Sequence, residues 1–122
     1  MEFDQSSPIF AQIAAVIKRR VVSGEWPPGT KVASVRELAV HFGVNPNTMQ
    51  RALAELEREG VLAAERTSGR YVTNDEALIG TLRLNMAKAE AARYLSIMRH
   101  MGFTKEQAAD LINTCEEDEV DT

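Results

Sequence analysis

Apolar residues recur first at helical spacing, then in alternation, then at helical spacing again, and that order predicts the architecture. Ile9, Ile13, Val16, Ile17 and Val21 form one stripe, the pattern of a helix with one buried face. This helix is predicted from Pro8 to about Ser23, with Ser7 as N-cap and Pro8 in the first helical position. Lys18, Arg19 and Arg20 lie towards its end, where cations oppose the helix dipole favourably. Gly24 ends it. The run Trp26-Pro27-Pro28-Gly29-Thr30 is a turn that no helix continues through. Lys31-Val32-Ala33 is predicted as a short strand.

A second helix carries Leu38, Ala39 and Phe42 inward. Its start, Ser34-Val35-Arg36-Glu37, is a capping box, in which hydroxyl and carboxylate satisfy free amide groups reciprocally. Gly43 breaks it and Val44 tucks inward. A third helix opens almost at once on Asn45 as N-cap and Pro46 in the first turn. Met49, Ala52, Leu53 and Leu56 are its apolar stripe, at i, i+3, i+4 and i+7. Gly60 stands where a left-handed residue closes a helix. Then the period changes: Val61–Glu65 and Arg70–Thr73 read as strands, with Thr67-Ser68-Gly69 as hairpin-turn chemistry between them.

Residues 76–101 contain no proline and are rich in Ala, Leu, Met, Arg and Glu, all good helix formers. Unbroken, such a helix is about 40 Å long. Gly80 is a weak point near its start. Gly102 ends it, with Phe103 placed for the apolar contact of a Schellman cap. Thr104-Lys105-Glu106-Gln107 is a second capping box and opens a last helix bearing Ala108, Leu111, Ile112 and Cys115. The expected fold is therefore mainly α with a small β-hairpin: a winged helix-turn-helix over residues 1–74, a two-helix segment over 75–115 and an acidic tail over 116–122.

Two short helices joined across Gly43 form a helix-turn-helix signature. The turn must be tight so that the first helix braces the second across a DNA groove. The second must present short polar groups at its N-terminal end, where base edges are met. Asn45, Asn47, Thr48, Gln50 and Arg51 are such residues; Arg suits guanine, and Asn or Gln suits adenine. The hairpin that follows makes the unit a winged helix. Its turn sets Arg66 and Arg70 around Thr67-Ser68-Gly69, and an arginine at a loop tip enters a minor groove or meets a phosphate.

The stretch from Pro28-Gly29 through Val35-Arg36-Glu37-Leu38-Ala39, then VNPNTMQRALAELEREGVL, then Arg66 to Val72, resembles the DNA-binding domain of the GntR superfamily. The VNPNT motif and the ELEREG ending are most similar to its YtrA-type branch. The resemblance covers about residues 8–73, and the short C-terminal segment fits that branch in length and position. It implies a dimeric repressor of nearby genes, often transporter operons. It also implies that Arg36 reaches a base or phosphate, that Asn45, Asn47, Thr48 and Gln50 line the major-groove end of the third helix, and that Arg66 with Ser68-Gly69 forms the wing tip. The recognition helix is then 46–59 and the wing 65–71. Two departures stand out: the branch commonly has a more basic or glycine-richer wing, and often an aromatic residue near Leu53.

A net charge of -4 over 122 residues opposes DNA binding at first sight. The distribution qualifies it. Residues 1–75 carry nine Lys/Arg and nine Asp/Glu, whereas 76–122 carry five and nine. The acid is concentrated at the C-terminal end, where five of the six residues Glu116–Asp121 are acidic, the pattern of a solvated tail. A neutral first domain binds DNA if its bases share one face, because phosphate contacts are local.

Catalysis finds no support in the chain. His41 and His100 are far apart with no carboxylate–nucleophile pattern near either, and Cys115 beside an acidic run is no activated thiolate. One Cys and two His at unrelated spacings are no metal site, and no cofactor is expected. With no apolar run of about 18 residues, no secretory leader and a lone cysteine, a cytoplasmic protein is expected. Leu78, Leu82, Met86, Ala89, Leu95, Met98 and Met101 exceed what one short helical hairpin buries, which predicts a homodimer interface. A small-molecule effector stays unidentified, since a two-helix unit implies no pocket of its own, and a dimer interface is the place left for one. The competing reading is a winged helix used for protein or RNA contacts, which a flat salt dependence would reveal.

Overall fold

A computed structural model describes residues 2–116, so the acidic run from residue 117 onward lies outside the described residues. The element order is α1 (Ile9–Val22), α2 (Val35–Phe42), α3 (Pro46–Arg58), β1 (Leu62–Glu65), β2 (Gly69–Val72), α4 (Glu76–His100) and α5 (Lys105–Thr114). The chain divides after Arg83 into two units.

The first unit is a winged helix-turn-helix. Ile13, Ile17 and Val21 of α1, Leu38, Ala39 and Phe42 of α2, and Met49, Ala52, Leu53 and Leu56 of α3 meet in one core, closed below by Val61, Leu62 and Val72. Three helices around a hairpin suffice because each has its apolar stripe on the side the others occupy. β1 and β2 pair antiparallel, with Leu62 opposite Val72 and Glu65 opposite Gly69. The predicted strand at Lys31–Ala33 reduces to a bridge between Lys31 and Tyr71, on the open edge of β2. Its hydrogen bonds are real: Val32 N–H donates to the Arg70 carbonyl at 2.9 Å, and Val72 N–H to the Thr30 carbonyl at 2.9 Å.

The first helix differs at its start. Pro8, not Ser7, is the N-cap, with ψ 146°, and no side chain caps the helix. The Pro8 carbonyl instead accepts from the Ala11 and Gln12 amides. Gln12 reaches back over the entry: its Nε2 donates to the carbonyls of Asp4 (2.8 Å) and Ser7 (2.9 Å), and its Oε1 accepts from the Asp4 amide. The Ser7 carbonyl is thus spent, and Phe3 packs against the core. Ser6 donates its hydroxyl and its amide to Asp4, which holds that carboxyl below its usual range. Ile9, counted in the apolar stripe, is exposed, while Ala14 takes a core position.

The opening turns of α4 belong to this unit. Ile79 lies in the core, Leu78 and Leu82 pack against it, and Arg83 Nε donates to the Val22 carbonyl at 3.0 Å. Leu78 and Leu82, expected at a dimer interface, are therefore engaged within the first unit. Helical periodicity marked their face correctly but not what that face meets.

In the second unit Met98 and Ala108 are buried. Tyr94 donates its hydroxyl to the Ala108 carbonyl at 2.7 Å, tying α4 to α5. The expected Schellman cap forms: Phe103 N–H donates to the Met98 carbonyl and Gly102 N–H to the Arg99 carbonyl, with Gly102 at φ 91°. The Thr104–Gln107 capping box closes in both directions, at 3.1 and 2.9 Å. Leu84, Ile97, Met101, Phe103, Leu111 and Ile112 are exposed.

Candidate nucleic-acid interface

The turn between α2 and α3 sets the geometry. Gly43 takes a left-handed conformation (φ 69°, ψ 37°), which costs other L-residues about 1–2 kcal/mol. Val44 N–H returns to the Ala39 carbonyl at 3.0 Å, and α3 begins two residues later. At that start the Asn45 side chain accepts from the Thr48 amide at 2.9 Å, and Pro46 occupies the first turn. Asn45 therefore uses one acceptor site of its Oδ1 on capping, and its Nδ2 donors are left for a ligand. Thr48 is half-buried. Asn47, Gln50 and Arg51 are exposed on the face opposite Met49, Ala52, Leu53 and Leu56.

Charge on α3 is sorted along its length. The acids of its C-terminal half are each committed: Glu55 to Arg58, Glu57 to Arg70, and Glu59 to Lys18 at 2.8 Å. At the N-terminal half no acid stands; Pro46 has no N–H and Thr48 spends its own on Asn45, which leaves the Asn47 N–H and the positive end of the helix dipole to favour an anion. Among the described residues, Arg19, Lys31, Arg36, Arg51 and Arg66 form no ion pair, and all five are exposed. Four of those five belong to the helix-turn-helix or to the wing and its flanking bridge. In the first 75 residues four acids and four cations are paired and five of each are not, but along α3 the acids are the paired ones and Arg51 is left free among the described residues.

The wing is the tight hairpin expected. Arg66, Thr67 and Ser68 form its exposed turn, and Gly69 (φ 107°) closes the ladder opposite Glu65. Arg70 departs from the expectation of a DNA contact: its guanidinium is half-buried and paired with Glu57, thirteen residues away. It braces the wing against the flank of α3. Sequence spacing gives no sign of this pair, because it forms only when hairpin and helix pack. Lys31 was missed as a site residue. Its side chain lies beside Gly69, close enough that a Cβ there would stand 3.5 Å from the lysine Cε. Lys31, Ser34, Ser68 and Gly69 line an open groove of about 660 Å³ between the capped start of α2 and the wing. The Ser34 capping box at its edge is formed in both directions. Arg36 stands in the first turn of that helix, exposed.

The remaining expected candidates divide. Met86 and Leu95 are half-buried, Met98 is buried and Met101 is exposed. No group of three or more His, Cys, Asp or Glu side chains suited to a metal occurs among the described residues. No described helix is long and apolar enough to cross a membrane.

Residues 10–72 match the model of the bacterial regulatory proteins of the gntR family. The chain belongs to the GntR family. That span takes in the helix-turn-helix, the wing and all five of the exposed, unpaired cations Arg19, Lys31, Arg36, Arg51 and Arg66. Among GntR relatives, the HTH-type transcriptional regulator YhcF of Bacillus subtilis is 35% identical over 113 residues, covering 93% of each chain. The HTH-type transcriptional repressor YtrA of the same organism is 33% identical, covering 88% of this chain and 83% of its own. A GntR family transcriptional regulator from Listeria monocytogenes superposes with a TM-score of 0.85 at 38% identity, over 93% of this chain and all of that one. The GntR fold thus extends through the C-terminal helices, and the resemblance to YtrA-type regulators holds over nearly the whole chain. These relatives are DNA-binding transcription regulators, not enzymes.

Proposed function

We propose that this GntR regulator binds double-stranded operator DNA in a sequence-specific manner, as a cytoplasmic homodimer that represses genes beside its own. The observation that carries the reading is the N-terminal half of α3, where Asn47, Gln50 and Arg51 stand exposed at the positive end of the helix while Glu55, Glu57 and Glu59 at its other end are paired with cations. In this reading α3 enters the major groove, with Asn47 and Gln50 at base edges and the Asn45 amide and Thr48 at its margin. Arg36 contacts a base or phosphate. Arg66, with Thr67, Ser68 and Gly69, reaches the minor groove or its phosphates, and Lys31 joins them from the groove beside the wing.

Two copies are required for a two-fold operator, since one short recognition helix reads few base pairs. The exposed apolar residues of the second unit, Met101, Leu111 and Ile112 among them, support this, because such patches mark interfaces. Repression is inferred from the likeness to the repressor YtrA; a transporter operon next to the gene is the first target to examine. No effector is assigned. The test is a footprint on the DNA upstream of the gene. Protection of a pseudo-palindrome by the wild type, lost in Asn47→Ala, supports the reading. Equal affinity for every duplex overturns its sequence-specific part.

A further inference from the structure

The exposed face of α3 is bordered by an aromatic ring. Phe10, in the first turn of α1, is half-buried and packs against the core. The Arg51 guanidinium lies over its ring, 4.0 Å from the centroid. A cation–π contact of this kind does not consume the guanidinium N–H donors, which stay available to an acceptor. For Arg51 those donors meet no acceptor on any described residue, in contrast with Arg58 and Arg70, whose donors are spent on Glu55 and Glu57. The nearest acid on the same side of α3, Glu55, is already taken by Arg58.

The ring is itself held. α1 starts at Ile9, and its entry is fixed by Gln12 bridging to the Asp4 and Ser7 carbonyls, with Phe3 anchored on the core. Phe10 therefore has little freedom to move away from Arg51. A long arginine otherwise samples many rotamers, and fixing one on binding costs conformational entropy. A ring beneath it supplies that order before DNA arrives.

We propose that Phe10 is a positioning residue for DNA binding: it holds the Arg51 guanidinium over its ring at the edge of the recognition helix, with the unspent donors left for a backbone phosphate. This rests on the DNA-binding reading above and adds to it a residue that touches no DNA.

The test is operator binding by fluorescence anisotropy across a salt series, with the full chain and Arg51→Ala, Arg51→Lys, Phe10→Leu, Phe10→Tyr and the double variant Phe10→Leu/Arg51→Ala. Circular dichroism checks that each is folded. Arg51→Ala flattens the slope of log K against log salt by about 0.9, the loss of one phosphate contact. Phe10→Leu keeps the slope and weakens binding about three-fold, the scale of an exposed cation–π contact. Phe10→Tyr, which preserves the ring, binds as the wild type does. Arg51→Lys keeps the slope and loses affinity as Phe10→Leu does. The double variant binds as Arg51→Ala alone does. An unchanged slope in Arg51→Ala overturns the proposal. So does an equal loss from Phe10→Leu with and without Arg51, which makes Phe10 a packing residue only. Wild-type protein without salt-dependent operator binding defeats the DNA-binding reading itself, a result distinct from either.

Discussion

The two units spend their apolar residues in opposite ways. In the first, Ile13, Ile17, Met49, Leu53 and Leu56 are completely buried, and the large exposed exceptions are Ile9 and Val40. In the second, among the described residues from Leu84 onward, only Met98 and Ala108 are buried, while Leu84, Ile97, Met101, Phe103, Leu111 and Ile112 are exposed. A helical hairpin of about forty residues cannot enclose so many apolar groups by itself. The first unit carries its own core; the second leaves apolar groups exposed, the surface through which two copies are proposed to meet. On that proposal stability belongs to one and assembly to the other, and the contrast can be broken at defined points.

The largest effect is expected in the first core. Leu56→Ala should cost about 2–5 kcal/mol in urea unfolding, through lost transfer energy and a residual cavity. Ile112→Ala in the full chain should leave the urea transition of the first unit unchanged and weaken self-association in sedimentation. Equal destabilisation by both would erase the contrast.

Next comes the boundary. A chain stopped after Arg83 retains Leu78, Ile79 and Leu82 and should unfold cooperatively as a monomer. Stopping after Thr73 removes them and should cost at least about 2 kcal/mol more, the burial of Ile79 alone accounting for that much. A dimer persisting in the chain stopped after Arg83 would place the interface in the wrong unit.

Smaller effects probe the turn. Gly43→Ala meets no atom within 4 Å, so its cost, about 1 kcal/mol, is backbone strain alone; Gly43→Asn should cost less. Asn45→Ala should cost about 1 kcal/mol through the lost cap, and Asn45→Asp should restore it. Both are read by thermal or urea unfolding.

Much of this was legible along the chain because it is local. Ser34–Glu37, Asn45-Pro46 and Thr104–Gln107 start helices by rules that act over three or four residues, and Gly43, Gly60 and Gly102 end them in left-handed conformations. The polar start of α3 was legible for the same reason. What escaped is tertiary. Arg70 looked free until α3 brought Glu57 to it. Nothing along the chain marks Phe10, whose place beneath Arg51 exists only once α1 and α3 pack together. Leu78 and Leu82 lie on an apolar face whose partner no periodicity names. Ser7 was a good cap by type, but the side chain of Gln12 ordered the entry differently.

The most direct test of the central claim is the affinity of the full chain for a duplex from upstream of its own gene, measured by anisotropy between about 50 and 200 mM salt. The account predicts a fall of about 10³–10⁵ over that range, as for about 6–10 phosphates contacted by a dimer. An affinity that barely changes with salt would contradict it and point to a winged helix that meets a protein.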